Sequence, residues 1–317
     1  MSDTGRSIRM LPGANEGTTM TAVRTRRPGS VEGLELVRVP VPVPGPDEVL
    51  VRVHATSVTR GDVVLRRMPG FVVRAFGEKP KRILGHEFAG VVVAVGDDAL
   101  GFAPGSRVFG TTSGTEHGAH AEYVVAAAEG MIAEIPDRVS FDEAAPVPVG
   151  AMTALHFLER GGVGPGRSVL VNGASGSVGT FAVQIARARG ARVTAVCSGR
   201  NAGLALDLGA DDVIDHTTTD ATTTGRRFDA VFDTVGTLRS RSVRAILADG
   251  GRFVTTRSRR DETLAELMDV RDLLASGALS AVIDRDYDLD DVADAHRHVE
   301  TGRKRGNVLV RVHPKEI

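Results

Sequence analysis

At 317 residues, with 42% hydrophobic and 25% charged residues, the chain has the composition of an ordinary soluble globular protein with enough length for two packed units. Lys and Arg number 39 against 40 Asp and Glu, a formal net charge of -1, so no global field draws the protein to nucleic acid or to an anionic membrane. One cysteine, Cys197, excludes an internal disulfide and fits a reducing, cytoplasmic compartment, and no run of about 18 apolar residues predicts a membrane-spanning helix.

In chain order, residues 1–19, "MSDTGRSIRMLPGANEGTT", lack the apolar stretch of a signal peptide and read as a mobile extension. From Met20 to Ala128, alternating segments such as "EVLVRVHATSV" and "AGVVVAVG" are separated by "PGPDE", "GDDALGFAPGSR" and "SGTEHG". Period-two alternation between Gly/Pro turns predicts compact antiparallel β structure, consistent with a barrel. From Phe141 onward the texture changes. "RSVLVNGASGSVGTFAVQIARARGARVTAVCSGRNAGLALDLGADDVIDH" runs strand, glycine turn, helix, strand, helix, strand, the rhythm of a parallel sheet with crossover helices. The threonine-rich stretch 217–227 reads as a solvated loop. "FDAVFDTVG" predicts a strand, "SVRAILADG" a helix and "RFVTT" a strand, and the tail closes on an alternating strand that can rejoin the β region.

Gly173, Gly176 and Gly179 are spaced three apart between the apolar strand "VLVN" and a helix beginning near Val178. In that context small residues let backbone N–H groups approach a pyrophosphate, and the helix N-terminus adds partial positive charge. Gly176 allows close approach and Gly179 allows close helix packing. A carboxylate at the end of the following strand would hold the ribose hydroxyls of NAD. "TAVCSGRN" offers Ser198 and Arg200 there instead, groups suited to the 2′-phosphate of NADPH.

These motifs identify a family. From Met20 onward the chain resembles the medium-chain dehydrogenase/reductase superfamily, in its zinc-free, quinone-oxidoreductase-like, NADPH-dependent branch. The resemblance is carried by "PGPDEVLVRVHATSVTRGD", "LGHEFAGVVVAVG", "VLVNGASGSVGTFAVQIA", "LGADDVIDH", "DTVG" and "HRHVETGRKRGNVLV". It implies an α/β protein with a GroES-like β-barrel domain built from both ends of the chain, 20–145 and 283–317, and a Rossmann domain over 146–282, with the substrate cleft between them. It also implies that Gly176, Ser177 and Val178 cradle the pyrophosphate and that Ser198 and Arg200 meet the 2′-phosphate. His216 stands where many relatives carry a tyrosine near that phosphate. Thr153, Val235, Gly236, Thr255 and Thr256 fall near the nicotinamide, and Thr59 and Val64 occupy the positions of a substrate-binding Asn and Tyr in quinone oxidoreductases.

Zinc enzymes of the superfamily ligate their metal through a cysteine, the histidine of Gly-His-Glu and a third cysteine or acidic residue. Here Thr59 and Asp62 stand where the first cysteine belongs, and "PVPVGAM" supplies no third ligand. No metal is therefore expected. His86 becomes a polar group at the floor of the cleft and a candidate proton donor, with Glu87 bonded in the barrel wall. A second departure follows "GGRFVTT", where relatives have a helix and a sixth parallel strand. Here the chain runs directly into "RSRRDETLAELMDVRDLLASGALS", one amphipathic helix with Leu264, Leu267, Met268 and Leu274 on one side. The parallel sheet is therefore expected to have five strands. The protein is expected to be a monomer or a dimer not joined through the sixth-strand edge, with Arg257, Arg259 and Arg260 either solvated or guarding that edge.

Together these features predict a zinc-independent oxidoreductase delivering hydride from NADPH to a quinone or an α,β-unsaturated carbonyl compound, a small-molecule substrate. The missing segment and the absent Asn/Tyr pair keep an alternative open: a redox-neutral biosynthetic enzyme, such as a cyclase or dehydratase, or an NADPH-binding sensor on the same fold.

Overall fold

The structure, a computed structural model, describes residues 9–10, 19–75, 83–113, 115 and 118–312. Of the extension expected over 1–19, only Arg9, Met10 and Thr19 are among them; the remainder lies outside the described residues. The strands are β1 (Arg9–Met10), β2 (Thr19–Thr25), β3 (Leu34–Pro40), β4 (Glu48–Ser57), β5 (Glu87–Val95), β6 (Arg107–Thr111), β7 (Tyr123–Ala127) and β8 (Ile132–Glu134). They continue with β9 (Ser168–Asn172), β10 (Arg192–Cys197), β11 (Asp212–Asp215), β12 (Phe228–Asp233), β13 (Leu247–Thr255), β14 (Ile283–Asp288) and β15 (Asn307–Arg311). The chain divides into two compact units, 1–149 with 263–271 and 283–317, and 150–262 with 272–282.

The first unit is built on a sheet of order β14-β15-β4-β5-β6-β8, with β7 also on β4 and β1 on β5; β2 and β3 form a separate pair. The alternation in "EVLVRVHATS" sends Val49, Val51 and Val53 into the core, where they meet Phe88, Val92 and Val108. The C-terminal strand β15 does return to this sheet, antiparallel to β4, and β14 joins it in parallel. No alternation in "IDRDYD" announces β14; it is specified by its pairing with β15. The helices Arg60–Arg67 and Val292–Glu300 are tied by the fully buried Arg66 guanidinium, which pairs with Glu300 and donates to the Gly29 carbonyl at 2.8 Å.

In the second unit five parallel strands take the order β11-β10-β9-β12-β13. The order runs outward in both directions from β9, so the carboxyl ends of β9 and β12 flank a switch point, where open α/β sheets bind ligands. Among the described residues no sixth strand follows β13.

Three expectations need correction here. The helix expected over 242–250 is only a turn, Ser240–Val243 followed by a 3-10 segment, and β13 already begins at Leu247 opposite Phe228. Gly250, at φ +74°, and Gly251 turn the chain within that strand, which no helix interior tolerates well. In the helix Leu264–Ala275, Leu267, Val270 and Leu274 are buried whereas Leu264 is 40% exposed, because the apolar stripe follows 267, 270 and 274. Of the three arginines expected in solvent or at the sheet edge, Arg260 departs: it pairs with Glu262 at 3.3 Å and is nearly buried, whereas Arg257 is exposed just after the edge strand β13, its side chain passing by Gly236. Arg259 is solvated as well.

Phe232 on β12 is fully buried, its ring 5.6 Å from that of Phe157. Phe232→Ala should cost about 3–5 kcal/mol, read as a lowered urea midpoint, and Phe232→Leu far less; equal effects of the two substitutions would refute the packing argument.

Candidate functional site

The glycine turn leaves the end of β9 as expected. Gly173 has φ +80°, the left-handed region that glycine enters without steric cost. The Gly173 and Ala174 N–H groups both donate to the Val196 carbonyl, at 3.0 and 3.1 Å, which ties the turn to β10. The helix Ser177–Ala188 starts with Gly176 as N-cap and no side chain capping it. A Cβ on Gly179 would lie 2.1 Å from the Gly173 carbonyl oxygen, so helix and turn meet at a distance that only glycine allows. The first backbone N–H groups of this 12-residue helix, those of Ser177 and Val178, therefore form a cradle suited to an anion. Gly150, on the helix Pro148–Arg160 that carries Thr153, packs closely on Ser177 and Phe181.

The end of β10 carries no carboxylate of its own. Ser198 is half-buried and Arg200 exposed, with residues Gly199–Asn201 in a 3-10 turn. His216 donates its backbone N–H to the Cys197 carbonyl at 3.0 Å, which brings its exposed side chain into the same neighbourhood. Sequence reasoning missed Asp215, whose carboxylate receives the Gly199 N–H. The Thr217 hydroxyl and N–H, with that bond, hold its carboxyl below the usual range.

At the switch point a second missed carboxylate organises the loop after β12. Asp233 is fully buried and accepts from Asn172 Nδ2 at 2.8 Å and from the N–H groups of Val235, Gly236 and Leu238 at 3.2, 2.9 and 2.7 Å. Thr256 donates its N–H to the Asp233 carbonyl and its hydroxyl to the Thr234 carbonyl, next to Thr255 at the end of β13. Val235, Gly236, Thr255 and Thr256 are thus gathered at one end of β12 and β13. The sequence signal was an Asp closing a strand ahead of Thr-Val-Gly.

In the first unit a polar group surrounds His86. His86 Nδ1 donates to Asp62 Oδ1 at 2.6 Å; the His86 side chain is 20% exposed and that of Asp62 fully buried. Asp62 Oδ1 also accepts from the Gly85 N–H at 3.1 Å, while Oδ2 accepts from the Thr59 N–H and hydroxyl at 2.8 and 2.7 Å. Thr59 is the N-cap of the helix Arg60–Arg67 in a capping box with Asp62, so its hydroxyl acts on Asp62. Val64, further along this helix, is exposed. Burial pushes the Asp62 carboxyl up, but the His86 charge and the bonds from His86 and Thr59 outweigh it and hold the group far below the usual carboxylate range. Glu87, equally buried, accepts from the Ser57 hydroxyl and, at 2.8 Å, from the Val149 N–H, and burial pushes it up to about 7.

Comparisons with known proteins define the class. Residues 45–137 match the alcohol dehydrogenase GroES-like domain, and 177–279 and 256–310 match zinc-binding dehydrogenase models. The chain is 30% identical over 315 residues to a chloroplastic quinone oxidoreductase, QR1, of Triphysaria versicolor, covering 89% of this chain and 95% of that protein. It is 33% identical to a 2-methylene-furan-3-one reductase of Solanum lycopersicum, covering 90% of this chain and 77% of the other. A solved quinone oxidoreductase from Coxiella burnetii superposes with a TM-score of 0.81 at 28% identity, over 93% of this chain and all of that one. The fold and the glycine turn are those of a nicotinamide-dependent oxidoreductase with GroES-like and Rossmann-like parts. The chain belongs to the medium-chain dehydrogenase/reductase superfamily, in its quinone-oxidoreductase-like branch.

The family implies two groups, and the residues answer differently for each. A dinucleotide fits: neither Gly173 nor Gly179 has room for a side chain, a Cβ on Gly176 would meet only the Gly173 carbonyl oxygen at 3.4 Å, and no side chain of the N-cap residue covers the helix start. Zinc does not. Asp62 Oδ1 is taken by His86 Nδ1 and the Gly85 N–H, its Oδ2 by Thr59, and both Glu87 oxygens are bonded, so neither carboxylate is turned toward a metal beside His86. Among the described residues no group of three His, Cys, Asp or Glu side chains can hold a metal ion.

Because the Glu87 carboxyl is raised by burial, folding favours its protonated form. That stabilisation is complete below the unfolded value of 4.5 and is lost as pH rises through about 7. Glu87→Gln should therefore gain thermal stability relative to the parent as pH increases from 5 to 8, by about 1–3 kcal/mol at the upper end; parallel melting-temperature profiles would contradict this.

Proposed function

We propose that this oxidoreductase is zinc-independent and NADPH-dependent, and that it reduces a quinone or an α,β-unsaturated carbonyl compound. The observation that carries the cofactor assignment is the loop Ser198–Arg200. It closes β10 without a carboxylate of its own and lies beside a glycine turn whose geometry suits a pyrophosphate. The arginine fork and serine hydroxyl are the groups expected around a 2′-phosphate. The substrate class is supported by relatives named as quinone oxidoreductase and 2-methylene-furan-3-one reductase. Ser177 and Val178 N–H groups bind the pyrophosphate, Ser198, Arg200 and His216 meet the adenosine phosphate, and Thr153, Val235, Gly236, Thr255 and Thr256 shape the nicotinamide end.

When bound, NADPH supplies hydride to an electron-poor carbon of the acceptor. His86 supplies the matching proton from Nε2 to the oxygen on which negative charge develops. Asp62 receives the Nδ1–H, so it stabilises the imidazolium before transfer and holds the ring in one tautomer after it. Thr59 acts through Asp62, and Val64 offers an apolar surface to the substrate. The single thiol, Cys197, is buried and raised by that burial, hence poorly reactive, in keeping with a cytoplasmic enzyme that uses no cysteine chemistry.

Purified protein mixed with NADPH and a panel of quinones and enones should lose the nicotinamide absorbance. Tight NADPH binding with no oxidation across the panel would overturn the reductase reading and favour the redox-neutral one. Arg200→Ala should weaken NADPH binding about tenfold and leave NADH binding unchanged; equal losses for both cofactors would remove the NADPH assignment. His86→Ala should lower kcat about 100-fold or more without altering NADPH affinity, and metal content should be nil in both proteins.

A further inference from the structure

A buried amide in the second unit has no role in the cofactor reading above. Asn201, 5% exposed, follows the Ser198–Arg200 loop and donates Nδ2–H to the Ser175 hydroxyl oxygen at 3.0 Å. Its backbone N–H donates to the Ser198 carbonyl at 2.8 Å. Its Oδ1 is buried and has no hydrogen-bond partner among the described residues. A buried, half-satisfied amide costs stability that an apolar side chain at the same place would not. Its retention at the junction of the two cofactor loops points to a role other than stability.

Ser175 is the residue between Ala174 and the N-cap Gly176, inside the turn whose backbone is tied to Val196. With its oxygen accepting from Asn201, the Ser175 hydroxyl hydrogen is directed away from the amide. On the opposite side of the second loop, a Cβ on Gly199 would lie 2.4 Å from Asp215 Oδ2, so the loop has no room to move toward β11. Asp215 and Asn201 thus both restrain Ser198–Asn201, and Asn201 joins that loop to the glycine turn through its side-chain bond to Ser175.

We propose that Ser175 is a further pyrophosphate-binding residue, its hydroxyl donating to a phosphate oxygen, and that Asn201 is the positioning residue that orients this hydroxyl. The proposal rests on the cofactor reading above. A donor aimed at the pyrophosphate serves both dinucleotides equally, since the 2′-phosphate is at the other end of the adenosine. This separates the pair from Arg200, whose effect is confined to NADPH.

The test is direct titration of NADPH and NADH, by nicotinamide fluorescence, against the parent protein, Ser175→Ala, Asn201→Ala, Asn201→Asp and the Ser175→Ala/Asn201→Ala double variant. Ser175→Ala and Asn201→Ala should each raise Kd about tenfold for both cofactors. The double variant should be no worse than either single one, because both remove the same bond. Asn201→Asp should be worse than Asn201→Ala, since a carboxylate would draw the hydroxyl hydrogen to itself and add negative charge beside the phosphate. Circular dichroism and thermal unfolding without cofactor identify any variant that loses the fold, and Ser175→Ala, at a half-buried turn position, carries the test if Asn201→Ala does. Unchanged affinities in the single variants, or losses that multiply in the double one, overturn the proposal. A parent protein that binds neither nucleotide instead overturns the cofactor reading itself.

Discussion

The second unit depends on the approach of Gly179 to the carbonyl of Gly173, a distance that leaves no space for a β-carbon. Because the helix Ser177–Ala188 starts that close to the strand end, its first N–H groups lie within the turn and not beyond it. Gly173 must enter the left-handed region to let the chain double back, and the Val196 carbonyl then receives two successive N–H groups. A larger residue at 179 would push the helix outward and separate the anion cradle from the strand, while the sheet beneath it stayed intact. Fold and cofactor site are therefore joined at one contact. The strand order, reversing direction at β9, adds the Asn172–Asp233 pair at the same end of the sheet.

Much of this was legible in the sequence, and the rest was hidden for physical reasons. The apolar strand segments between Gly/Pro turns located β4, β5 and β15, although β5 and β15 are buried on nearly every residue and not on one face only, and the five-strand sheet followed from the direct passage of "GGRFVTT" into a helix. The strand β14 was illegible, since a segment reading "IDRDYD" is held by its neighbour and not by its own pattern. The premature start of β13 was masked by "SVRAILADG", whose spacing suits a helix until the two glycines intervene. Asp233 was invisible as a site residue because its role lies in backbone N–H groups that no side-chain motif encodes. Arg260 looked like a solvent charge in sequence, yet a three-dimensional neighbour, Glu262, engages it.

The polar group of the first unit shows how two carboxylates, buried alike, acquire opposite characters. Asp62 receives four hydrogen bonds, one of them from an imidazole that can carry positive charge, and remains an anion at any ordinary pH. Glu87 receives two, from a hydroxyl and an amide, neither of them cationic, so burial dominates and its carboxyl titrates near neutrality. The number and charge of donors, and not depth, decide the outcome. His86 is consequently held against one permanent anion and next in sequence to a group that can be neutral. A site built to bind a divalent cation would need its acidic and imidazole donors turned toward a common point with lone pairs in reserve. Here the oxygens of Asp62 and Glu87 are taken up by donors of the protein itself, and His86 is left with an anionic carboxylate on its Nδ1. A carboxylate on one imidazole nitrogen would orient the ring for a metal as readily as for a proton; what the Gly-His-Glu stretch lacks for a metal, among the described residues, is a set of companion ligands.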